Sequence, residues 1–161
     1  MPLAFISGRR WAGFAFTIGF LAIIGALLFE HLAGLTPCEL CLEQRQPYYW
    51  GLPILFVIVF LWRSVPPLGR NVMVIGVISM LLWGAFLGSY HAGIEWGFWP
   101  GPTACSGGGA PISIESIQKM ETVTQCDFPQ FVFMGLSLAG YNVLVSIVMV
   151  VLLVVAMIRR F

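Results

Sequence analysis

Four cysteines are the residues of this sequence best suited by type and spacing to carry chemistry. Cys38 and Cys41 form a C-x-x-C motif, a spacing at which two thiols can close a small disulfide or bind a metal ion. Cys105 and Cys126 lie far apart in the sequence, so they do not form the compact ligand pair of a typical zinc site. Two redox pairs that exchange disulfides through thiolate attack fit this spacing better.

Two other interpretations of the cysteines stay open at the level of the sequence. The four could bind one metal ion together, although no histidine lies at a spacing typical of a zinc motif. They could also form two structural disulfides that brace loops, since four cysteines allow three pairings. A disulfide within a C-x-x-C motif constrains little chain, which disfavours a purely structural role. We therefore predict redox-active cysteines and no metal.

Two basic side chains could serve the first cysteine pair. Arg45 is four residues after Cys41 and shares its helix face, where it would stabilise a thiolate or bind the polar head of a ligand. The alternative for Arg45 is an interface charge whose stem lies along the membrane. His91 is predicted at the same depth on another helix, as a proton donor or hydrogen-bond donor to a bound ligand. His31 and His91 lie too near the helix ends to suggest a haem.

Membrane helices are the elements that must position these side chains. The chain is 59% hydrophobic and 9% charged, whereas a soluble domain is about 45–50% apolar and about 25% charged. A bilayer core needs about 20 apolar residues per helix. Four stretches predict helices over about 11–32, 42–62, 71–91 and 136–158. The uncharged part of the second is too short to span alone, so Glu43, Gln44 and Arg45 fall in its first turns.

The predicted fold class is an all-α membrane protein, a four-helix transmembrane bundle forming a single domain over residues 1–161. Gly84 and Gly88, four residues apart, favour close packing between helices of this bundle over a dimer interface. The first apolar stretch follows Arg9 and Arg10, as in a secretion signal, but it is long and no A-x-A cleavage site follows it. We predict a retained helix.

Charge gives the predicted orientation. Three segments that share one side of a four-span chain contain most of the basic residues: Arg9, Arg10, Arg63, Arg70, Arg159 and Arg160. The positive-inside rule places both termini and the middle loop in the cytoplasm. All four cysteines then lie on the outer side of a bacterial inner membrane, where disulfides persist.

The second outward loop, over about 92–135, is the only long one predicted. Its start, from Glu95 to Pro100, is rich in aromatic residues and is interpreted as an interface anchor. Farther on, Ile114, Ile117 and Met120 recur at helical spacing, which predicts a short amphipathic helix on the membrane surface. A mobile loop that merely contains isoleucines is the alternative.

Together these features resemble the disulfide bond formation protein B family, DsbB. The resemblance covers nearly the whole chain. It rests on the order of the four spans and on three segments: PCELCLEQR at 37–45, YHAGIEWGFWPGPTAC at 90–105 and QCDFPQFVFMGLSLAGYN at 125–142. Glu95 and Trp96 match the family pattern, but we derive no role for them.

The resemblance implies an oxidoreductase that supports protein disulfide formation, a chaperone-like role. Such an enzyme reoxidises DsbA, a periplasmic dithiol protein of thioredoxin fold, and passes the electrons to a membrane quinone, ubiquinone or menaquinone. By this resemblance DsbA attacks a Cys105–Cys126 disulfide, Cys126 exchanges with Cys38, and Cys41 becomes the thiolate beside the quinone. Arg45 matches the quinone-binding arginine and His91 the quinone-proximal histidine. The expected partners are DsbA, the quinone and the lipid bilayer, with no nucleic acid.

Overall fold

The structure is a computed structural model that describes residues 7–102, 126 and 129–159. Its elements are α1 (Gly8–His31), α2 (Glu39–Phe60), α3 (Pro67–Glu95), a hairpin of β1 (Val132–Phe133) and β2 (Leu136–Ser137), and α4 (Leu138–Ile158). The predicted all-α class with four long helices is confirmed in the described part of the chain.

The helix ends differ from the prediction because caps, and not hydropathy, determine where a helix begins and ends. Helix α3 begins at Pro67, whose fixed φ suits the first turn, and continues to Glu95, well beyond the predicted 71–91. Helix α1 begins at Gly8, before the predicted start at 11. Helix α2 begins directly after Cys38, which is its N-cap, and so starts earlier than the predicted 42.

The four helices form a ring in which α1 and α3 each pack against both α2 and α4. Arg9 at the start of α1 donates a hydrogen bond to the carbonyl of Val59 near the end of α2, at 2.8 Å, so these two helices are antiparallel. Large apolar side chains fill the centre of the ring, and the most completely buried of them include Leu55, Ile58, Leu81, Met149 and Leu153.

Three of the helices, α1, α3 and α4, are long and apolar enough to cross a membrane. Their outward faces carry exposed large apolar side chains such as Leu21, Trp83 and Val151, which water would not tolerate in such number. The chain is therefore a membrane protein. Helix α2 does not meet the same criterion, because its first turns are polar, so a fourth span stays a prediction.

The ends of the bundle differ in chemistry. Arg9 and Arg70 lie at one end, where the Arg70 guanidinium packs 4.2 Å from the centre of the Trp62 ring and donates to the Trp62 carbonyl at 3.1 Å. Cys38 and His91 lie at the other end. This separation agrees with the charge pattern from which the orientation was predicted.

Helices α3 and α4 approach closely at Gly88, in line with the predicted role of small residues. A Cβ atom at Gly88 would lie 2.8 Å from Val143 Cγ2 and 3.1 Å from the Ala139 carbonyl oxygen. We predict that Gly88→Ala lowers the free energy of unfolding in detergent by about 1–3 kcal/mol, because backbone cannot move aside cheaply. Gly76→Ala is the control, since nothing lies within 4 Å of its Cβ, and it should be neutral or stabilising. Equal stability of both variants would contradict the close approach.

The loop predictions fare unevenly. The amphipathic surface helix falls on residues 113–121, outside the described part of the chain. Aromatic packing is present at the end of α3, where Trp99 stacks on Tyr90 with ring centres 6.0 Å apart and donates to the Tyr90 carbonyl. The assignment of Glu95 to the loop and its anchor was wrong. Glu95 is the last residue of α3 and its side chain is only 5% exposed.

Candidate functional site

The C-x-x-C motif lies at the N-terminus of α2, as the sequence predicts. Cys38 is the N-cap, and the backbone N–H of Cys41 donates to its sulfur at 3.3 Å. The two Sγ atoms are 2.6 Å apart and both cysteines are free thiols. This separation is shorter than an ordinary contact of two thiols, so little movement separates the pair from a disulfide of about 2.05 Å.

Cys38 is the more buried thiol and has the better environment for a negative charge. Its side chain is 4% exposed, and His91 Nε2 lies 3.8 Å from its sulfur. A hydrogen bond with the Cys41 thiol and the nearby His91 ring lower the pKa of Cys38, against the opposing effect of burial. In the reduced protein the thiolate therefore forms first at Cys38. The sequence argument, which placed it at Cys41 beside Arg45, did not anticipate this.

The lowered pKa of Cys38 predicts the pH dependence of its reactivity. In the fully reduced protein, alkylation of Cys38 by a small reagent should stay fast at neutral pH and slow only well below the pH at which an ordinary thiol loses its reactivity, because only the thiolate reacts. An ordinary thiol would already slow below about pH 8.5. Residue-specific mass spectrometry measures the rate. His91→Gln should move the midpoint upward and His31→Gln should not; a wild-type midpoint in the ordinary thiol range would contradict the assignment.

His91 is buried between polar groups from two helices. Its Nδ1 lies 2.8 Å from Nε2 of Gln44, and its Nε2 lies 3.8 Å from both Cys38 Sγ and Glu95 Oε1. The second oxygen of Glu95, Oε2, is buried and has no hydrogen-bond partner among the described residues. The structure thus brings His91 to the cysteine pair at this end of the bundle, as the sequence predicts, and its side chain is buried there.

Arg45 follows Cys41 by one helical turn, as predicted, and it is not a free interface charge. Its guanidinium forms an ion pair with Glu30 of α1 and its side chain is only 13% exposed. Both ends of this pair border the same cavity as Cys41. A buried cation held in place by a carboxylate is suited to donate hydrogen bonds to a polar ligand head.

A cavity of about 560 Å³ joins these side chains. Its size is in the range of small-molecule sites. Most of its wall is apolar and comes from α1 and α4, including Ala22, Ile23, Ala26, Phe29, Leu138 and Val145. Its polar end contains Cys38, Cys41, Gln44, Arg45, His91 and Glu95. The arrangement suits a ligand with an apolar body and a polar head that must meet a thiol.

The second cysteine pair is only partly described. Cys126 is disulfide-bonded and 2% exposed, and it packs with Cys38, Leu40 and Ile94 in one buried cluster. Cys105 lies outside the described residues. The structure therefore brings Cys126 next to the C-x-x-C motif, which is what disulfide exchange between two pairs requires.

The ligand atoms of Cys38, Cys41 and His91 also lie within 4.8 Å of one another, a grouping that could hold a metal ion. The predicted absence of a metal is not tested by this geometry. Reversible closure of a disulfide explains the same approach of the two sulfurs.

Four polar residues of the site were not singled out from the sequence as functional. Gln44 was predicted only to lie at the membrane surface, and the sequence analysis assigned no role to Tyr48, Asn142 or Glu30. The sequence does contain one pattern that could have indicated these residues. Gln44 and Tyr48 on α2, and Asn142 and Ser146 on α4, are polar pairs at helical i, i+4 spacing inside apolar segments.

Comparison with known proteins identifies the family of the chain. A family model described as disulfide bond formation protein DsbB matches residues 8–156. An uncharacterised protein of Rickettsia prowazekii (strain Madrid E), RP370, is 27% identical over 143 residues, a match that covers 85% of this chain and 80% of the relative. No solved structure matches.

Proposed function

This chain belongs to the DsbB family of disulfide bond formation proteins, and from that membership we propose a specific activity. It is a membrane disulfide oxidoreductase that reoxidises a DsbA-like periplasmic protein and passes the electrons to a membrane quinone. The observation that carries the proposal is the cavity in which the C-x-x-C pair, Arg45 and His91 meet an apolar wall of α1 and α4.

The first step takes place at the second cysteine pair. A thiolate of the DsbA-like partner attacks the disulfide of Cys126, for which we propose Cys105 as the second cysteine. Support comes from the free state of Cys38 and Cys41, which leaves Cys105 as the remaining cysteine of the four. Attack at Cys105 forms a mixed disulfide, and the second partner thiol then displaces Cys105. The partner leaves oxidised, and Cys105 and Cys126 are left as two thiols.

The second step moves the oxidised state between the pairs. Cys126, now a thiolate, attacks the Cys38–Cys41 disulfide at Cys38, and Cys105 then closes on Cys126. The packing of Cys126 against Cys38 in one buried cluster supports this route. The result is a restored second pair and a reduced C-x-x-C pair, so two electrons pass from the second pair to the C-x-x-C pair and no outside oxidant is needed.

The third step removes the electrons from the protein. Cys38 and Cys41 give up two electrons to the quinone and close their disulfide. One proton comes from the Cys41 thiol and the second from solvent, so the quinone leaves as quinol. Arg45 would donate hydrogen bonds to a quinone carbonyl, and Cys41 would face the quinone ring. His91 would serve this end of the cavity as a proton or hydrogen-bond donor. The apolar wall would hold the body of a lipid-soluble quinone.

The proposed setting is a bacterial inner membrane, with four spans, both termini in the cytoplasm and the cysteines on the periplasmic side. The opposite placement of the arginine-rich and cysteine-bearing ends of the bundle supports this orientation. A soluble periplasmic partner would then reach Cys105 and Cys126, and a quinone would enter from lipid.

The activity can be tested with purified protein, a reduced DsbA-like protein and a soluble quinone analogue. The expected result is one quinol for each disulfide formed in the partner, followed by the absorbance of the quinone. Cys126→Ser is the control, since it removes the disulfide that the partner attacks, which we call the entry disulfide. This variant should lose turnover although its cavity can still bind the quinone. Absence of quinone reduction by the wild type would refute the proposal.

A further inference from the structure

A chain of polar side chains crosses the apolar interior between α2 and α4. Gln44 and Tyr48 come from one helix, and Asn142 and Ser146 from the other. Gln44, Tyr48 and Ser146 are 6%, 3% and 0% exposed. Burial of polar groups costs free energy unless they are paired by hydrogen bonds. The three proposed steps of electron transfer assign no role to these four residues.

We infer that this series of hydrogen-bonded side chains fixes the tautomer of His91, so that the proton of the ring is on Nε2 and faces Cys38. Gln44, Asn142 and Tyr48 are then positioning residues. The inference rests on the proposed function only in what the proton then does. The tautomer itself follows from the direction of each hydrogen bond.

The donor and acceptor of each hydrogen bond in the series can be assigned, starting from a backbone carbonyl. Asn142 Nδ2 lies 3.2 Å from the carbonyl oxygen of Gly84 in α3. A carbonyl can only accept, so the amide group of Asn142, and not its oxygen, must face Gly84. The usual ambiguity of an amide side chain is therefore removed at this position.

The remaining directions follow one from another. With Nδ2 fixed, Asn142 Oδ1 accepts from the Tyr48 hydroxyl at 2.8 Å, and that hydroxyl in turn lies 3.0 Å from Ser146 Oγ. The second N–H of Asn142 donates to Gln44 Oε1 at 3.0 Å. Gln44 must then turn its own amide nitrogen to His91 Nδ1, at 2.8 Å.

His91 Nδ1 faces a donor and must accept, so the proton of the neutral ring is on Nε2. That proton points to Cys38 Sγ and Glu95 Oε1, each 3.8 Å from Nε2. A second proton on Nδ1 would meet the amide N–H of Gln44. The series of hydrogen bonds therefore favours a neutral His91 ring that donates a hydrogen bond to the Cys38 thiolate. Of the two roles open to His91, proton donor or hydrogen-bond donor, it supports the second.

Nitrogen NMR of protein labelled in histidine tests the tautomer directly. The sequence contains two histidines, and His31→Gln removes the other signal. In the reduced protein without partner or quinone, we expect His91 Nδ1 to be unprotonated and Nε2 protonated at neutral pH. A protonated Nδ1 in this sample would overturn the inference.

Gln44→Glu reverses the polarity of one link without shortening the side chain. A carboxylate accepts from Nδ1–H, so His91 should carry a proton on Nδ1 in this variant. Among the described residues, the titratable groups that face His91 are Cys38, Cys41 and Glu95, and they are unchanged in this variant. Ser79→Ala is the control, because the Ser79 hydroxyl donates to the Ile75 carbonyl of its own helix and is not one of the hydrogen-bonded residues that lead to His91. An unchanged His91 spectrum in Gln44→Glu would overturn the inference.

Asn142→Asp provides a second variant if Gln44→Glu does not fold. Its carboxylate cannot donate to Gly84 or to Gln44, so Gln44 must turn its amide N–H to the carboxylate and its oxygen to His91. The proton of His91 should then move to Nδ1. A single Nε2–H tautomer in this variant would contradict the role of Asn142. The NMR results do not depend on turnover. The expected tautomer without quinone reduction would therefore refute the proposed function alone, and turnover with the other tautomer would refute this inference alone.

Discussion

Cys41→Ser is expected to lower the rate of quinone reduction by roughly a thousandfold or more, since loss of a reacting group removes the chemical step itself. The serine hydroxyl cannot form a disulfide with Cys38, so the pair that faces the cavity can no longer be oxidised. The entry disulfide of Cys126 is untouched. The variant should therefore still form a mixed disulfide with a reduced DsbA-like partner. Quinone absorbance and non-reducing gels measure the two properties.

Leu42→Ser is the matched control for Cys41→Ser. It introduces the same side chain in the same turn, but Leu42 is 46% exposed and is not part of the cavity wall. Its quinone reduction should stay within about twofold of the wild type, as expected for an exposed position away from the site. Quinone reduction retained by Cys41→Ser would contradict the third step.

Arg45→Met is expected to raise the KM for the quinone by about ten- to a hundredfold, because a hydrogen bond from a charged group contributes about 1.5–3 kcal/mol. Arg45→Lys should fall between this variant and the wild type, as lysine keeps the charge but lacks the planar guanidinium. Steady-state kinetics over a range of quinone concentrations measures the change. Arg63→Met, at an exposed position before α3, should leave KM unchanged.

The ion pair with Glu30 offers a second explanation of any effect of Arg45→Met. Loss of the cation leaves the Glu30 carboxylate unpaired in the cavity wall, and this charge alone could repel a ligand. A double variant, Arg45→Met with Glu30→Gln, separates the two causes. If Arg45 binds the quinone, the double variant keeps the high KM. Recovery of the wild-type KM would show that Arg45 serves only to neutralise Glu30.

The helices were predictable because the long apolar segments leave no other structure open to a chain in lipid. The ends of the helices were not predictable, because hydropathy indicates which residues lie in the membrane, whereas capping residues determine where a helix begins and ends. The clearest case is Glu95, a charged residue that the sequence places in a loop. The structure places it at the end of α3 with a buried side chain beside His91.

The site was predictable where chemistry is local in the sequence. The C-x-x-C spacing and the helical offset from Cys41 to Arg45 place those residues without knowledge of the fold. Contacts between helices depend on the rotation of each helix about its axis, which apolar periodicity defines poorly when every face is apolar. For this reason the link from Gln44 to His91 and the pair of Arg45 with Glu30 emerge only from the structure.

The central claim is that electrons leave the first cysteine pair through a membrane quinone. Trapping of free thiols in cells, with and without quinone depletion, tests it most directly. Under depletion, Cys38 and Cys41 should accumulate as free thiols, and restored quinone should return them to a disulfide. If all four cysteines keep one constant oxidised state whether or not quinone is present, the disulfides only brace the loops and the electron-transfer account is wrong.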